Sequence, residues 1–578
     1  MTNNKQAVHV VTTTREYKGK VYKAHLLRHS YREDGKVKNE TIANLSVLPE
    51  AAIEGLRRLL KGETLVSPNE LFETVSSRSH GAVQAVLTAM QRLGFANLLA
   101  SRPCRERDLV VAMVAARILE PHSKLATTRW WGTTTLAEAL DVVDATETEL
   151  YAAMDWLYAR QDKIEKRLVA RHFEEGSQVL YDLSSSYVEG TKCPLATYGY
   201  SRDGKKNTLQ IVYGLVTNAQ GCPMGISVYP GNRVDCTTLT EQIGIFREVY
   251  GVQQLTIVGD RGTISQKQID AIRDDEDLRW VTGLKSVQVR PLLRAGAIQL
   301  SFFDERNLFE FTHPSYPGER LIACRNPLLA AERKKTRADL IADTTKELKK
   351  LQRRVERGTL VGRTDIGWEV GSVIDARKMA KYFLVTITDT ELSWTMREDR
   401  LAEAAEMDGI YVIRTNLSET STSTHEAVLT YKRLAQVERA FRTLKGIDLQ
   451  IRPIYHHLAD RVSAHVFLCM LAYYVEWHMR EAWRELLFAD EDQEAKATRD
   501  PVAPAQRSEA AKQKAQTRQR ADGSAPHSFG TLMADLATIV RNECRRKDAA
   551  ATEPSFPMTT QPTPQQRRAL DLLEAIAV

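Results

Sequence analysis

Two short apolar runs end in aspartate, and they constrain the fold more than any other feature of the chain. Val179-Leu180-Tyr181-Asp182 and Leu255-Thr256-Ile257-Val258-Gly259-Asp260 are rich in β-branched and large apolar side chains and too short for buried helices. Continuous apolar runs of this kind suit strands covered on both faces. Residues 209–215, 224–229 and 280–284 read as further strands, and 239–250 and 265–272 as helices. The order β-β-β-α-β-α-β predicts an α/β fold with a mixed sheet flanked by helices. Carboxylates at the ends of adjacent strands can converge there.

A third carboxylate, Glu438, belongs to a long helix predicted over 426–445. Leu434, Val437, Phe441 and Leu444 form its apolar stripe, and Glu438 borders that stripe. Three converging carboxylates repel one another, and divalent cations remove that cost. Two Mg²⁺ ions in such a site can activate a water or a 3′-hydroxyl and stabilise the leaving oxygen in phosphoryl transfer. The plain alternative is two strand-terminal Asp in turns and a Glu paired with Arg442 at i+4.

The chain has 578 residues, enough for several domains, and a net charge of only +6, which permits an anionic partner without requiring one. Its seven Cys are odd in number and show no C-x2-C spacing, so neither a disulfide framework nor a zinc pattern is expected. No run of 18 apolar residues occurs, and an intracellular setting with no membrane span is expected.

The remaining segments organise around the core, 176–284 being its first part and 428–486 its second. Residues 1–48 read as a small basic β unit, with Lys18, Lys20, Lys23, Arg28, Lys36 and Lys38 among its cations. Such a ribbon fits a phosphate backbone, and equally a solvated hairpin face. Residues 49–175 read as a helical domain able to bind a DNA end, and 285–427 as a β-rich insertion with a charged helix at 331–355. Residues 487–525 have a linker composition, and 526–578 a C-terminal helical segment, with a helix over 529–546, and a tail.

The run Tyr431-x2-Leu434-x3-Glu438-x6-Lys445 resembles the Y-x2-R-x3-E-x6-K signature of DDE transposases of bacterial insertion sequences, the cut-and-paste group, with Leu434 in the place of the Arg. Tyr181-Asp182-Leu183-Ser184-Ser185-Ser186-Tyr187 and Val258-Gly259-Asp260-Arg261-Gly262 resemble the group's first two catalytic blocks. Gly231-Asn232-x2-Asp235, Asp408-Gly409-x3-Ile413-x-Thr415-Asn416, 117–126 and 31–45 are similar too, in the same order. The resemblance implies a ribonuclease-H-like core interrupted by an insertion between the second Asp and the Glu. It implies Asp182, Asp260 and Glu438 as catalytic residues and metal ligands, with two Mg²⁺ per site and Mn²⁺ as a substitute.

It further implies phosphate contacts from Tyr431 and Lys445. Arg433, Arg439 and Arg442 add charge on the same helix, and Arg261 follows the second Asp as a further candidate for DNA. Lys445 also fits a helix C-terminus before Gly446. The expected partners are terminal inverted repeats and target duplex, bound by a homodimer in the bacterial cytoplasm. A metal-dependent nuclease without strand joining, and a DNA-binding relative with dead chemistry, are the alternatives. His456 and His457 read as packing or surface residues, and Trp280, Trp368 and Trp394 mainly as core. The helical segment 463–481 and the C-terminal region after 487–525 are candidates for a dimer surface.

Overall fold

The computed structural model describes residues 7–63, 71–205, 207–492, 500–503, 506–547 and 553–577. The chain divides into two compact units, Met1–Ser77 with Arg541–Thr560, and Arg78–Val540 with Gln561–Val578.

In the first unit, β1 (Ala7–Tyr17), β2 (Lys20–Glu33) and β3 (Lys36–Asn44) form an antiparallel sheet. Two-residue turns, Lys18-Gly19 and Asp34-Gly35, join them, and all four residues have positive φ. That geometry matches the right-handed twist of hairpin strands and selects Gly at the second position. Helix Glu50–Leu60 packs on β1 through Arg57, which hydrogen-bonds Thr12. A second sheet of order β16-β15-β4 joins β4 (Phe72–Ser79) to two strands from the far end of the chain, β15 (Val540–Arg546) and β16 (Phe556–Thr559). Arg545 pairs with Glu73 at 2.6 Å, and Phe72 meets Phe556 edge-on.

The second unit is built on an eight-stranded sheet. Its strands are β5 (Gln178–Tyr187), β6 (Gln210–Asn218), β7 (Pro223–Pro230), β8 (Leu255–Val258), β9 (Leu278–Gly283), β10 (Leu308–Phe311), β11 (Arg320–Arg325) and β14 (Ile410–Thr415), in the order β10-β11-β14-β9-β8-β5-β6-β7. β5 runs antiparallel to β6 and parallel to β8, and β8 runs parallel to β9. The period of two along each strand divides the core between two faces. Val179, Tyr181 and Leu183 of β5 and Ile257 of β8 join one apolar cluster with Leu239, Phe246 and Ile269 of the helices beneath. Leu180 and Val258 join the other, with Val437, Ala440, Phe441 and Leu444. Asp182 and Asp260 lie two residues on from Leu180 and Val258, so alternation assigns both to the face that carries helix Leu434–Lys445.

Helix Ala459–Ala482 runs through this larger cluster, against helices Arg105–Leu119 and Glu147–Tyr158. Phe467, Leu468, Leu471 and Tyr474 are fully buried in the chain's own core. They cannot form the dimer surface considered for 463–481.

The structure differs from the sequence reading at several other places. The segment 285–427 is dominated by helices, the longest being Pro327–Glu356. Its strands β10, β11 and β14 extend the main sheet, leaving only β12 (Phe383–Ile387) and β13 (Leu392–Met396) as a separate hairpin packed on helices Pro327–Glu356 and Arg363–Ala376. A β-rich insertion is therefore not the arrangement, because amphipathic helices supply most of this segment's apolar face. The β unit read at 1–48 is extended by β4, a strand inside the stretch read as helical, and by the β15–β16 pair. The helix expected over 529–546 stops after Phe529–Ala537, and Val540–Arg546 becomes β15 because β16 and β4 pair with it. Part of the linker read at 487–525, namely 493–499 and 504–505, lies outside the described residues. Within it Glu509–Thr517 is a helix with Ala511 and Lys514 buried. Trp280 is core, Trp394 is partly buried, and Trp368 is 81% exposed.

Candidate active site

Asp182 and Asp260 owe their proximity to strand register. Leu180 pairs with Val258 in the parallel β5–β8 ladder, so continuing the register by two residues sets Asp182 opposite Asp260. Neighbouring strands are ~4.8 Å apart, which brings two side chains of the same face together. Asp260 lies just past β8, where its Oδ1 accepts the backbone N–H groups of Gly262 (2.9 Å) and Thr263 (2.7 Å). Asp182 Oδ1 accepts the N–H of Leu183 at 2.8 Å.

Glu438 comes from helix Leu434–Lys445, which packs on β5. The long helix expected over 426–445 is in fact two, Thr424–Lys432 and Leu434–Lys445, with a break at Arg433. Helical periodicity continues across the break, and this hides it in the sequence.

The three carboxylates share one electrostatic environment. Burial, and next the charge of Asp260, push the Asp182 carboxyl up to about 7, with a smaller push from Glu438; the Leu183 N–H and Arg202 oppose them. Such a site is short of positive charge, and its donors are all carboxylate oxygens. That donor set suits a hard divalent cation. Tyr431 belongs to the same environment. Its hydroxyl is raised by burial, then by Asp260, Asp182 and Glu438, with Arg261 opposing. Its ring stands against Gly283 of β9, where an added Cβ would lie 2.9 Å from the hydroxyl oxygen.

The remaining candidates separate into groups. Arg439 and Arg442 are exposed and make no ion pair among the described residues. Arg433 donates to the side-chain carbonyl of Gln178. Lys445 is turned inward and donates to Asp203 at 2.9 Å. Asp203 is 2% exposed at its side chain and also pairs with Arg452. Burial lowers the Lys445 ammonium, with Asp203 opposing. Arg261 lines a polar cavity of about 270 Å³ with Lys267, Lys285 and Arg414. Arg414 is buried and pairs with Glu319, its Nε 2.6 Å from Oε2.

Asp203, Arg452, Lys267, Lys285 and the Arg414–Glu319 pair were not singled out by sequence. All depend on contacts far apart along the chain. The rings of His456 and His465 lie 5.1 Å apart, tilted by 49°, in the helical layer, in keeping with a packing role for His456.

Residues 10–71 match the IS1634 family transposase N-terminal domain, and residues 175–475 match the transposase DDE domain. No curated protein matches the chain. Among solved structures it is similar to the piggyBac transposase in a synaptic complex with hairpin DNA, at 8% identity over 79% of this chain and 78% of that one, with a TM-score of 0.34. That likeness is weak. The carboxylates on β5, just past β8 and on the facing helix lie inside the longer match, which spans more than half of the chain, and the protein belongs to the DDE transposases of insertion sequences.

Proposed function

We propose that the chain binds the terminal inverted repeats of its element, cleaves a DNA strand at each end and joins the exposed 3′-hydroxyl to target DNA. The observation that carries this is the site shared by Asp182, Asp260 and Glu438, in which neighbouring carboxylates raise Asp182. The five strands β7-β6-β5-β8-β9, with Asp182 on β5 and Asp260 just past the adjacent parallel β8, support a ribonuclease-H-like core.

Asp182, Asp260 and Glu438 would hold two divalent ions, Mg²⁺ by preference. When bound, these supply activation of the attacking oxygen and stabilisation of the leaving one. The chain's own groups position the reaction. The backbone N–H groups of Gly262 and Thr263 orient Asp260. Tyr431, seated on β9, can donate its hydroxyl to a phosphate oxygen at the same site. Arg261, Lys267 and Lys285 line a cationic cavity next to Asp260 that suits the flanking backbone. Arg439 and Arg442 add exposed charge. Lys445 acts chiefly through Asp203, as a positioning residue that fixes the end of helix Leu434–Lys445.

Water attacks first and the 3′-hydroxyl second, each directly at phosphorus, with no protein nucleophile. The working place is the bacterial cytoplasm, on DNA. No helix of the described residues is long and apolar enough to cross a membrane.

Alanine at Asp182, Asp260 or Glu438 should abolish Mg²⁺-dependent cleavage and joining, by at least ~10³-fold, while end binding is kept. Cleavage that survives all three substitutions would reject this reading. Cleavage by the wild type without joining of paired ends would favour a nuclease instead.

A further inference from the structure

Two cations are buried side by side in the helical layer of the second unit. Arg117, in the last turn of helix Arg105–Leu119, is 7% exposed, and Lys124, which opens helix Lys124–Trp130, is 5% exposed. The Arg117 guanidinium donates to the carbonyl of His122 at 3.4 Å. Neither residue makes an ion pair among the described residues, and the Lys124 ammonium makes no hydrogen bond there.

The groups facing them do not compensate. Cys469 and His465 project from the central helix Ala459–Ala482, His456 from the loop before it, and Arg461 from its first turn. None is an acid. Burial lowers both imidazoles and raises the Cys469 thiol, so the histidines stay neutral and the thiol stays protonated. Of the carboxylates on the neighbouring segments, Asp155 is paired with Arg461 at 3.2 Å and Glu120 lies 4.0 Å from His122.

Burial, and next the charge of Arg117, lower the Lys124 ammonium to about 7, so without a counter-ion the pair is unfavourable in the free protein and a bound anion would restore the full charge. Leu125, on the same helix as Lys124, and Tyr455 and Leu458, beside His456, are large apolar side chains left exposed.

The loop that carries His456 is tied to the sheet. Val188 bridges Ile454, and the N–H of Glu189 donates to the Ile454 carbonyl at 2.8 Å. Val188 lies six residues beyond Asp182 along β5, about 20 Å at ~3.3 Å per residue. This loop therefore leaves the sheet at a distance that one bound duplex spans easily.

We propose that Arg117 and Lys124 form an oxyanion site for a phosphodiester of bound DNA, remote from the Asp182–Asp260–Glu438 site. The planar guanidinium can hold two phosphate oxygens, and the ammonium supplies a point charge beside it. Exposed Leu125, Tyr455 and Leu458 would flank the sugar edge. This rests on the DNA-binding reading above and adds to it a contact that no ion pair competes for among the described residues.

The test compares wild type, Lys124→Met and Lys124→Arg as full chains. Binding to a short mixed-sequence duplex is measured against salt, and thermal melting is followed without DNA, with the duplex, and with inorganic phosphate. Lys124→Met should bind at least ~10-fold more weakly at low salt and lower the log–log salt slope by about 0.9, one phosphate's worth. Its melting temperature without DNA should equal or exceed that of wild type, because an uncompensated buried charge has gone. Lys124→Arg should keep the slope. A merely structural lysine would give the opposite pair of results, with lowered melting and unchanged slope, and would overturn the inference. Stabilisation of wild type by phosphate equal to that by duplex would assign the site to a free anion and likewise overturn it. If wild type binds no duplex at all, the DNA reading fails along with it. If wild type and Lys124→Met bind alike, this inference alone fails.

Discussion

Burial and two neighbouring carboxylates hold the Asp182 carboxyl at about 7, against an ordinary value of 3.8. In the unfolded chain it loses its proton near the ordinary value, so between about 4 and about 7 the native state binds the extra proton. Stability therefore falls as pH rises through that window, and the deficit persists above it. Asp182→Asn removes the deficit. Without divalent ions the variant should be more stable than wild type at pH 8, by on the order of 1–3 kcal/mol, and should show no gain at pH 4. Mg²⁺ at pH 8 should stabilise the wild type more than the variant. Melting curves across pH, with and without Mg²⁺, check this; a gain that is independent of pH would count against the shared carboxylate site.

At the level of elements, β9 and helix Thr424–Lys432 meet through the close approach of Gly283 and Tyr431. A methyl group at 283 would lie 2.9 Å from the Tyr431 hydroxyl and 3.3 Å from its ring carbon. Gly283→Ala should therefore push Tyr431 off its seat and lower cleavage ~10-fold or more, with little change in DNA affinity. Tyr431→Phe in the same chain, which removes the nearest atom, should restore folding stability but not cleavage. Cleavage rates and melting of the single and double variants distinguish the two effects.

The same scale explains what could be read in the sequence. The strands ending at Asp182 and Asp260 were legible because continuous apolar runs leave few alternatives. The stripe of Val437, Phe441 and Leu444 likewise put Glu438 on a packed helix. The break at Arg433 was hidden, since both helices share one apolar face. β4 and β15 were missed because each is a strand only by virtue of the other. Lys445 reads in the sequence as a phosphate contact or a helix C-terminal lysine, because its partner, Asp203, is 242 positions away.

For the molecule as a whole, a mobile element has two ends to be cut and joined in concert, and on the proposed function one copy of the Asp182–Asp260–Glu438 site would serve one end. Two-fold pairing is the commonest closed assembly. The complex with terminal-repeat DNA should contain two chains bridging two ends, as measured by its mass in solution. A doubly cut complex with one chain would reject the dimer. Since helix Ala459–Ala482 is consumed by the protomer's own core, the pairing must use other surfaces or the DNA itself.

The sheet that joins β4 to β15 and β16 also sets an order of events at the ribosome. β4 emerges hundreds of residues before its partner is made. At ~5–20 residues per second, its backbone edge waits on the order of half a minute or longer. During that interval it is an unpaired strand, the feature that invites pairing with another chain. A nascent transposase, or one cut short of β15, therefore carries an incomplete N-terminal unit, which closes once β15 and β16 have been made. Synthesis through β16 thus becomes a checkpoint, separating chains able to complete that unit from fragments left with an open strand edge.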